Sequence, residues 1–321
     1  MSAFANKILL ATDGSPEAES AARMAVTLAN GLNSELHVVY VGRMPGAYAL
    51  SEAELIDPEF QSRLRERAEQ YARAKLDEEV EKIDRITGKV AEAHVGVGSP
   101  EVEIVRLAEE LDAGLVVLGS RGFGPLKRAL MGSVSESVVR HAHGSVLVVR
   151  GDGGEREHLP GSILLAVDSS KESRAAARDA ARISAATGSE LHVLFVWETA
   201  PLVSYMPYQG PEDWEVSEDF LERYRKKARA FVRREVELIE AEGGVVKEAH
   251  IALGDPEKEI VKAGEELDVG LIVLGSRGLS AVGRALLGSV SDSVVRHAHC
   301  PVLVVRSGAQ QTDEQPSIVQ V

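Results

Sequence analysis

Two short stretches of glycine, serine and arginine have the spacing that phosphate chemistry asks for. After the apolar run ending at Leu118 the chain reads Gly119-Ser120-Arg121-Gly122, and ten residues later Gly132-Ser133 precedes a helical pattern. The same frame returns as Gly275, Gly278 and Gly288-Ser289, so both stretches fit G-x2-G-x9-G-[ST]. Glycine at a strand exit lets backbone approach a ligand, and a helix N-terminus adds unpaired N–H groups and the positive end of a dipole. Ser133 and Ser135, with Ser289 and Ser291, have two competing uses, as caps of that helix or as hydroxyl donors to phosphate oxygens. Arg121 and Arg128, with Arg277 and Arg284, supply positive charge that would offset a nucleotide. Asp13 and Asp168 follow the first apolar run of each half. As acceptor-only carboxylates they suit ribose hydroxyls, or equally a cap on the next helix.

A lone pair of glycines would only mark a turn. Here the frame occurs twice while the residues inside it have diverged, from Phe123-Gly124-Pro125-Leu126-Lys127 to Leu279-Ser280-Ala281-Val282-Gly283. Lys127 stands opposite Gly283 and cannot serve both sites. Six of the nine histidines pair between copies: His37 with His192, His94 with His250, His141 with His297. The His141/His143 and His297/His299 couples end a helical pattern with no cysteine or carboxylate cluster beside them. Basic side chains complement the dipole there, so these are read as structural and no metal ligand is assigned.

The elements that must position these groups come from a duplication. Residues 114–150 and 270–306 differ at 10 of 37 aligned positions, and KILLATDGS pairs with SILLAVDSS and SELHVVYV with SELHVLFV. The period of about 155 residues is a whole domain, not a solenoid repeat. Domains are therefore expected at 1–150 and 161–306, joined by the glycine-rich, charged linker 151–160 and followed by a polar tail, 307–321, expected to be disordered. In the first copy short β-branched runs fall near 7–12, 35–41, 90–96, 115–119 and 145–149, with helices near 16–31, 57–87, 100–111 and 132–142 between them. Ser15 and Pro16 announce the first helix as N-cap and first helical residue. Five strands with four crossovers make an α/β, doubly wound parallel sheet, whose ligands bind beyond the C-terminal strand ends.

Composition narrows the partners. With 36 basic and 50 acidic residues the formal charge is -14, which repels nucleic acid and anionic membrane surfaces. A single cysteine, Cys300, excludes an intrachain disulfide. The N-terminal residues lack an export signal and no apolar run approaches the roughly 20 residues that cross a bilayer, so a cytoplasmic protein is expected. There is no Walker G-x4-GK[ST], no HEXXH and no nucleophile elbow with triad partners, and no catalytic residue is assigned.

The frame in its setting LGSRG…GSVS…VLVV, found twice and supported by the strand-end aspartates, resembles the universal stress proteins in their tandem two-domain form. The resemblance covers residues 5–150 and 161–306. It implies an open five-stranded parallel sheet in each half, Rossmann-like and of the adenine nucleotide alpha hydrolase-like class, and ATP, with or without Mg2+, as ligand. By position, Asp13 would meet ribose and the Val41 backbone adenine, while Leu118, Gly119, Arg121, Gly122, Gly132, Ser133, Val134 and Ser135 line ribose and phosphate. The matching set is Asp168, Val196, Leu274, Gly275, Arg277, Gly278, Gly288, Ser289, Val290 and Ser291. Two departures argue against equal sites: Asp168 is followed by Ser169-Ser170 instead of Gly14-Ser15, and the loops 42–56 and 197–218 share no pattern. The family pairs its last strands across a dimer, so SVLVVR and PVLVVR are expected to pair within this chain as a pseudo-dimer, with a further homodimer left open. The implied function is a nucleotide-binding, non-catalytic or weakly ATP-hydrolysing regulator of the stress response. An ATPase or transferase acting on adenine nucleotides, and a ligand-free structural pseudo-dimer, are the alternatives.

Overall fold

The computed structural model describes residues 6–44, 57–122, 131–150, 161–198, 218–278 and 287–307. The first half runs β1 (Lys7–Thr12), α1 (Pro16–Leu32), β2 (Glu35–Gly42), α2 (Pro58–Arg85), β3 (Val90–Val97), α3 (Pro100–Glu110), β4 (Leu115–Gly119), α4 (Ser133–His141) and β5 (Ser145–Val149). The second half repeats it as β6 (Ser162–Val167), α5 (Lys171–Thr187), β7 (Glu190–Glu198), α6 (Glu218–Ala241), β8 (Val246–Gly254), α7 (Pro256–Glu266), β9 (Leu271–Gly275), α8 (Ser289–His297) and β10 (Val302–Val305). The expected linker and tail lie outside the described residues, apart from Ser307.

Each half is a parallel sheet, and the pairing of β5 with β10 is antiparallel, so ten strands form one continuous sheet in the order β3-β2-β1-β4-β5-β10-β9-β6-β7-β8. The two five-stranded sheets expected from the sequence are thus halves of one. The inner strands are apolar on both sides because helices cover both faces, whereas the edge strands β3 and β8 carry polar, exposed residues. Ile8 and Leu10 enter a core shared with α1, α2 and α5, while Leu9 and Ala11 enter the opposite core with α3, α4, α7 and α8. Both cores run through the central strands, with Leu147 and Leu303 on one face and Val146, Val148, Val302 and Val304 on the other.

The junction is reciprocal. Arg150 Nη2 donates to the carbonyls of Val295 and Arg296 at the end of α8, at 2.7 and 2.6 Å, and Arg306 Nη2 donates to those of Val139 and Arg140 at the end of α4, at 2.7 and 3.3 Å. Each half thereby supplies the cation that satisfies the orphan carbonyls of its neighbour's helix. Burial drives both guanidinium pKa values below their ordinary value. Arg296 adds an ion pair to Glu136 across the junction at 2.6 Å.

Local signals act as expected at the helix starts. Ser15 is extended (φ -69, ψ 162) and its Oγ accepts the Ala18 N–H, with Pro16 beginning the helix. Ser170 caps α5 in the same way, accepting from Ser173 N at 3.0 Å. Among the described residues no helix is long and apolar enough to cross a membrane.

Candidate functional site

The chain leaves β1 for β2 on one side and returns to β4 on the other, so the C-terminal ends of β1, β2 and β4 enclose a crevice. That crevice is a cavity of about 730 Å³. All ten first-half residues singled out by sequence line it: Asp13, Val41, Leu118, Gly119, Arg121, Gly122, Gly132, Ser133, Val134 and Ser135. Their second-half counterparts sit at the matching ends of β6, β7 and β9 and at the start of α8. Arg128, Arg284 and Lys127 lie outside the described residues.

The glycines are there because other atoms come too close for a side chain. A Cβ on Gly119 would lie 2.9 Å from the Glu17 carbonyl carbon, where α1 packs against the strand end. One on Gly122 would lie 2.1 Å from Asp13 Oδ2. Asp13 Oδ1 accepts the Ser15 N–H at 3.0 Å across Gly14, whose φ of +80° suits glycine. Asp168 makes the same bond to Ser170 N at 2.8 Å, without a positive-φ residue between. The aspartate therefore does local work with one oxygen and turns the other toward the glycine loop; Ser15, not Asp13, caps the helix.

Two expectations need correction. Neither Ser133 nor Ser135 caps α4, because the N-cap is Gly132, extended (φ -73, ψ 152), and no side chain satisfies the first turn. The buried Ser135 hydroxyl donates to the Ser120 carbonyl at 2.7 Å, with Gly132 O at 2.9 Å. Its single proton holds the glycine loop to the helix, leaving only lone pairs for a ligand. Ser291 does the same to Ser276 at 2.9 Å. Arg121 also differs: its Nη2 lies 2.6 Å from Glu17 Oε1, and Arg277 lies 2.9 Å from Glu172. These guanidinium charges are met by acids of α1 and α5, so they position the loop and are not spare positive charge.

Sequence reading missed the wall made by β2 and α2. Tyr40, Arg43, Leu64, Arg67 and Tyr71 line the cavity, with Tyr40 and Tyr71 edge to face at 6.5 Å. Burial pushes the Tyr40 phenol up to about 12, with Tyr71 adding to it. The long polar pattern of 58–85 betrayed only a helix, since residues lining an opening are neither regular core nor regular surface. In the aligned second half Tyr40, Arg43 and Tyr71 become Phe195, Glu198 and Lys227.

The repeated histidines separate into two groups. His141 and His297 donate from Nδ1 to the carbonyls of Ser137 and Ser293, both at 2.8 Å, while His143 and His299 approach Glu109 and Glu265, which fits the helix-end reading. His37 with His94, and His192 with His250, instead form ring-to-ring contacts between neighbouring strands. Burial holds the His94 and His192 imidazoles below their ordinary pKa.

A model of the universal stress protein family matches residues 5–150 and again residues 161–306. The chain belongs to that family. A universal stress protein of Methanocaldococcus jannaschii is 34% identical over 150 residues, 47% of this chain and 84% of its own length. Another, of Mycolicibacterium smegmatis, is 33% identical over 206 residues, 60% of this chain and 62% of its own. Among solved structures, a universal stress protein from Archaeoglobus fulgidus covers 97% of this chain and 99% of its own at 28% identity, with a TM-score of 0.64. The tandem architecture thus recurs in a solved member of the family.

Proposed function

We propose that this universal stress protein binds adenine nucleotide, ATP foremost, at the strand ends of each half and acts as a non-catalytic, cytoplasmic regulator whose occupancy alters its stability or partner contacts. The observation that carries the reading is the uncapped start of α4. Its first residues, Ser133, Val134 and Ser135, line a cavity of nucleotide size, and the dipole end favours a phosphate there. Gly119 and Gly122 bring the β4 exit close enough for ribose and phosphate to meet backbone, and Asp13 Oδ2 is the acceptor nearest the sugar. The Tyr40–Tyr71 wall gives adenine an apolar flank. Asp13 is the carboxylate that would reach Mg2+ carried in with the phosphates.

Binding without turnover is supported by how the polar groups are spent. Asp13 Oδ1, the Ser135 proton and Arg121 Nη2 each have a partner within the protein, and the Tyr40 phenol stays protonated at neutral pH. The test is to denature freshly purified protein and identify released nucleotide by mass and stoichiometry. We expect ATP or ADP at two per chain, or one per chain if only the first site fills. No released nucleotide together with no thermal shift in millimolar Mg-ATP sinks the proposal. Steady phosphate release that disappears in Asp13→Ala/Asp168→Ala would convert it to an ATPase.

A further inference from the structure

A second cluster, built twice, lies away from the nucleotide crevice. Strand period puts Glu92 and His94 on one face of β3, and the pairing of β2 with β3 sets His37 opposite Glu92 on that face. The register shift between Leu36 and His37 recurs between Leu191 and His192, so β7 and β8 set His192 opposite Glu248 in the same way. His37 Nδ1 is 3.1 Å from His94 Nε2, and that nitrogen is 3.8 Å from Glu92 Oε2. In the second half His192 Nδ1 is 3.0 Å from His250 Nε2, with Glu248 beside them. In each triad one ligand atom per residue lies within 4.8 Å of the others.

We propose that His37, His94 and Glu92, and likewise His192, His250 and Glu248, form two binding sites for a divalent transition-metal ion of the Zn2+ class. Zinc takes two imidazoles and a carboxylate readily, completing a tetrahedron with water. With metal–nitrogen bonds of about 2.0–2.1 Å, the ligand–ligand edge of that tetrahedron is about 3.3 Å, close to the separations found here. A rotation about the soft outer torsion of each ring turns both lone pairs off the N···N line and onto a shared ion. The proton now between the rings moves to the far nitrogen of its own imidazole, so none need leave. For His37 that nitrogen, Nε2, is buried, makes no hydrogen bond and faces Glu35 Oε2 at 3.6 Å. A carboxylate behind a ligating imidazole is the usual supporting arrangement. Glu92 is exposed and gives the ion a route in.

The copies differ in support. Glu190, the counterpart of Glu35, is taken by Lys247, and that lysine replaces Ala91 next to the triad. The second site should therefore bind at least tenfold more weakly, in line with the loss of an outer-shell partner.

The test uses untagged full-length chain stripped with chelator and titrated, without nucleotide, with Zn2+ by calorimetry and with Co2+ for its tetrahedral visible band. We expect two ions per chain of unequal affinity. His94→Gln should remove the tighter site, His250→Gln the weaker, and the double variant both, with circular dichroism and melting confirming that each still folds. Glu92→Gln should weaken the tighter site by about 10–100-fold. Stoichiometry unchanged in the folded double variant, Glu92→Gln without effect, or no heat and no band at millimolar ion each overturns the proposal.

Discussion

The two halves keep one backbone and one glycine frame, yet their buried carboxyls have different company. In the first half Glu79, 4% exposed, accepts from Thr12 Oγ1 at 3.0 Å and from Lys82 Nζ at 2.8 Å, and Lys82 also reaches Glu19 at 3.1 Å. The aligned second-half residues are Glu235 with Val167, Leu238 and Arg174. Both near donors of Glu235 have become apolar, and burial raises its pKa. The second half also carries Asp179, 4% exposed, where the first has Met24, and burial pushes that carboxyl up to about 7 against the partial pull of Arg182 and Arg178. The frame that shapes the crevice is common to both halves, while the buried carboxyls have near donors only in the first.

Asp179 offers the largest effect on this contrast. Its folded pKa of about 7 lies above the ordinary 3.8, so charging it is harder in the folded chain. Its stabilising share is whole below pH ~4 and is lost as pH rises toward ~7; above that the cost is on the order of 4 kcal/mol, three units at about 1.4 each. Asp179→Met should recover on the order of 2–4 kcal/mol at pH 8 and little at pH 4. Urea melts at the two pH values read it; equal gains at both would show that Asp179 is not the source.

Nucleotide affinity sharpens the comparison next. A methyl on Gly122 meets Asp13 Oδ2 at 2.1 Å, against 2.8 Å between Gly278 and Asp168 Oδ2. The obstacle is the end of a side chain, so Gly122→Ala should fold with Asp13 swung aside. It should weaken ATP at the first site by about 100-fold, roughly 2.7 kcal/mol, and Gly278→Ala should cost the second site less. Equal losses, measured by calorimetry on each variant, would mean that contact with the aspartate does not govern binding.

How far the residues foretold this depends on the kind of signal. All nine first-half elements end within about two residues of where periodicity and caps place them, since Ser15-Pro16 and the β-branched runs are local and strong. The glycines and serines of the first-half crevice were legible because two copies exposed an unchanging frame, whereas Val41, Leu118 and Val134 came only from the family resemblance. The roles of Ser135 and Arg121 were not, because a serine hydroxyl or a guanidinium chooses its partner in three dimensions, and here the fold sets Ser120 O and Glu17 beside them. Tyr40 and Tyr71 carried no motif. The histidine triads showed only as paired positions, because His37 lies 57 residues from His94 and only strand register brings them together.

The junction tests whether the halves can differ without coming apart. Arg150 and Arg306 each satisfy two carbonyls at the end of the opposite half's helix. Replacing either with Met removes the cation and leaves part-buried acceptors without their donor, at a cost of about 1–2 kcal/mol. The two variants should lose similar amounts and should bring the melting of the halves apart into two transitions. A single unchanged transition by calorimetry would show that the β5–β10 strands and the shared core suffice.

The smallest effect concerns the buried glutamates themselves, and here the two halves should respond with opposite sign. Glu79→Gln leaves Lys82 facing a neutral amide, which weakens a charge-assisted bond, and should cost about 1 kcal/mol. Glu235→Gln removes a carboxylate that burial disfavours, and should stabilise by about 1 kcal/mol at neutral pH and by less as pH falls and the acid protonates on its own. Carrying the second half's surroundings into the first, as Thr12→Val/Lys82→Leu, should make Glu79 behave like Glu235, so that Glu79→Gln in that background becomes stabilising. Denaturant melts of these four variants and the parent chain decide it. If Glu79→Gln still destabilises once both donors are gone, the asymmetry does not originate in the partners of this carboxyl, and the contrast between the halves must rest on Asp179.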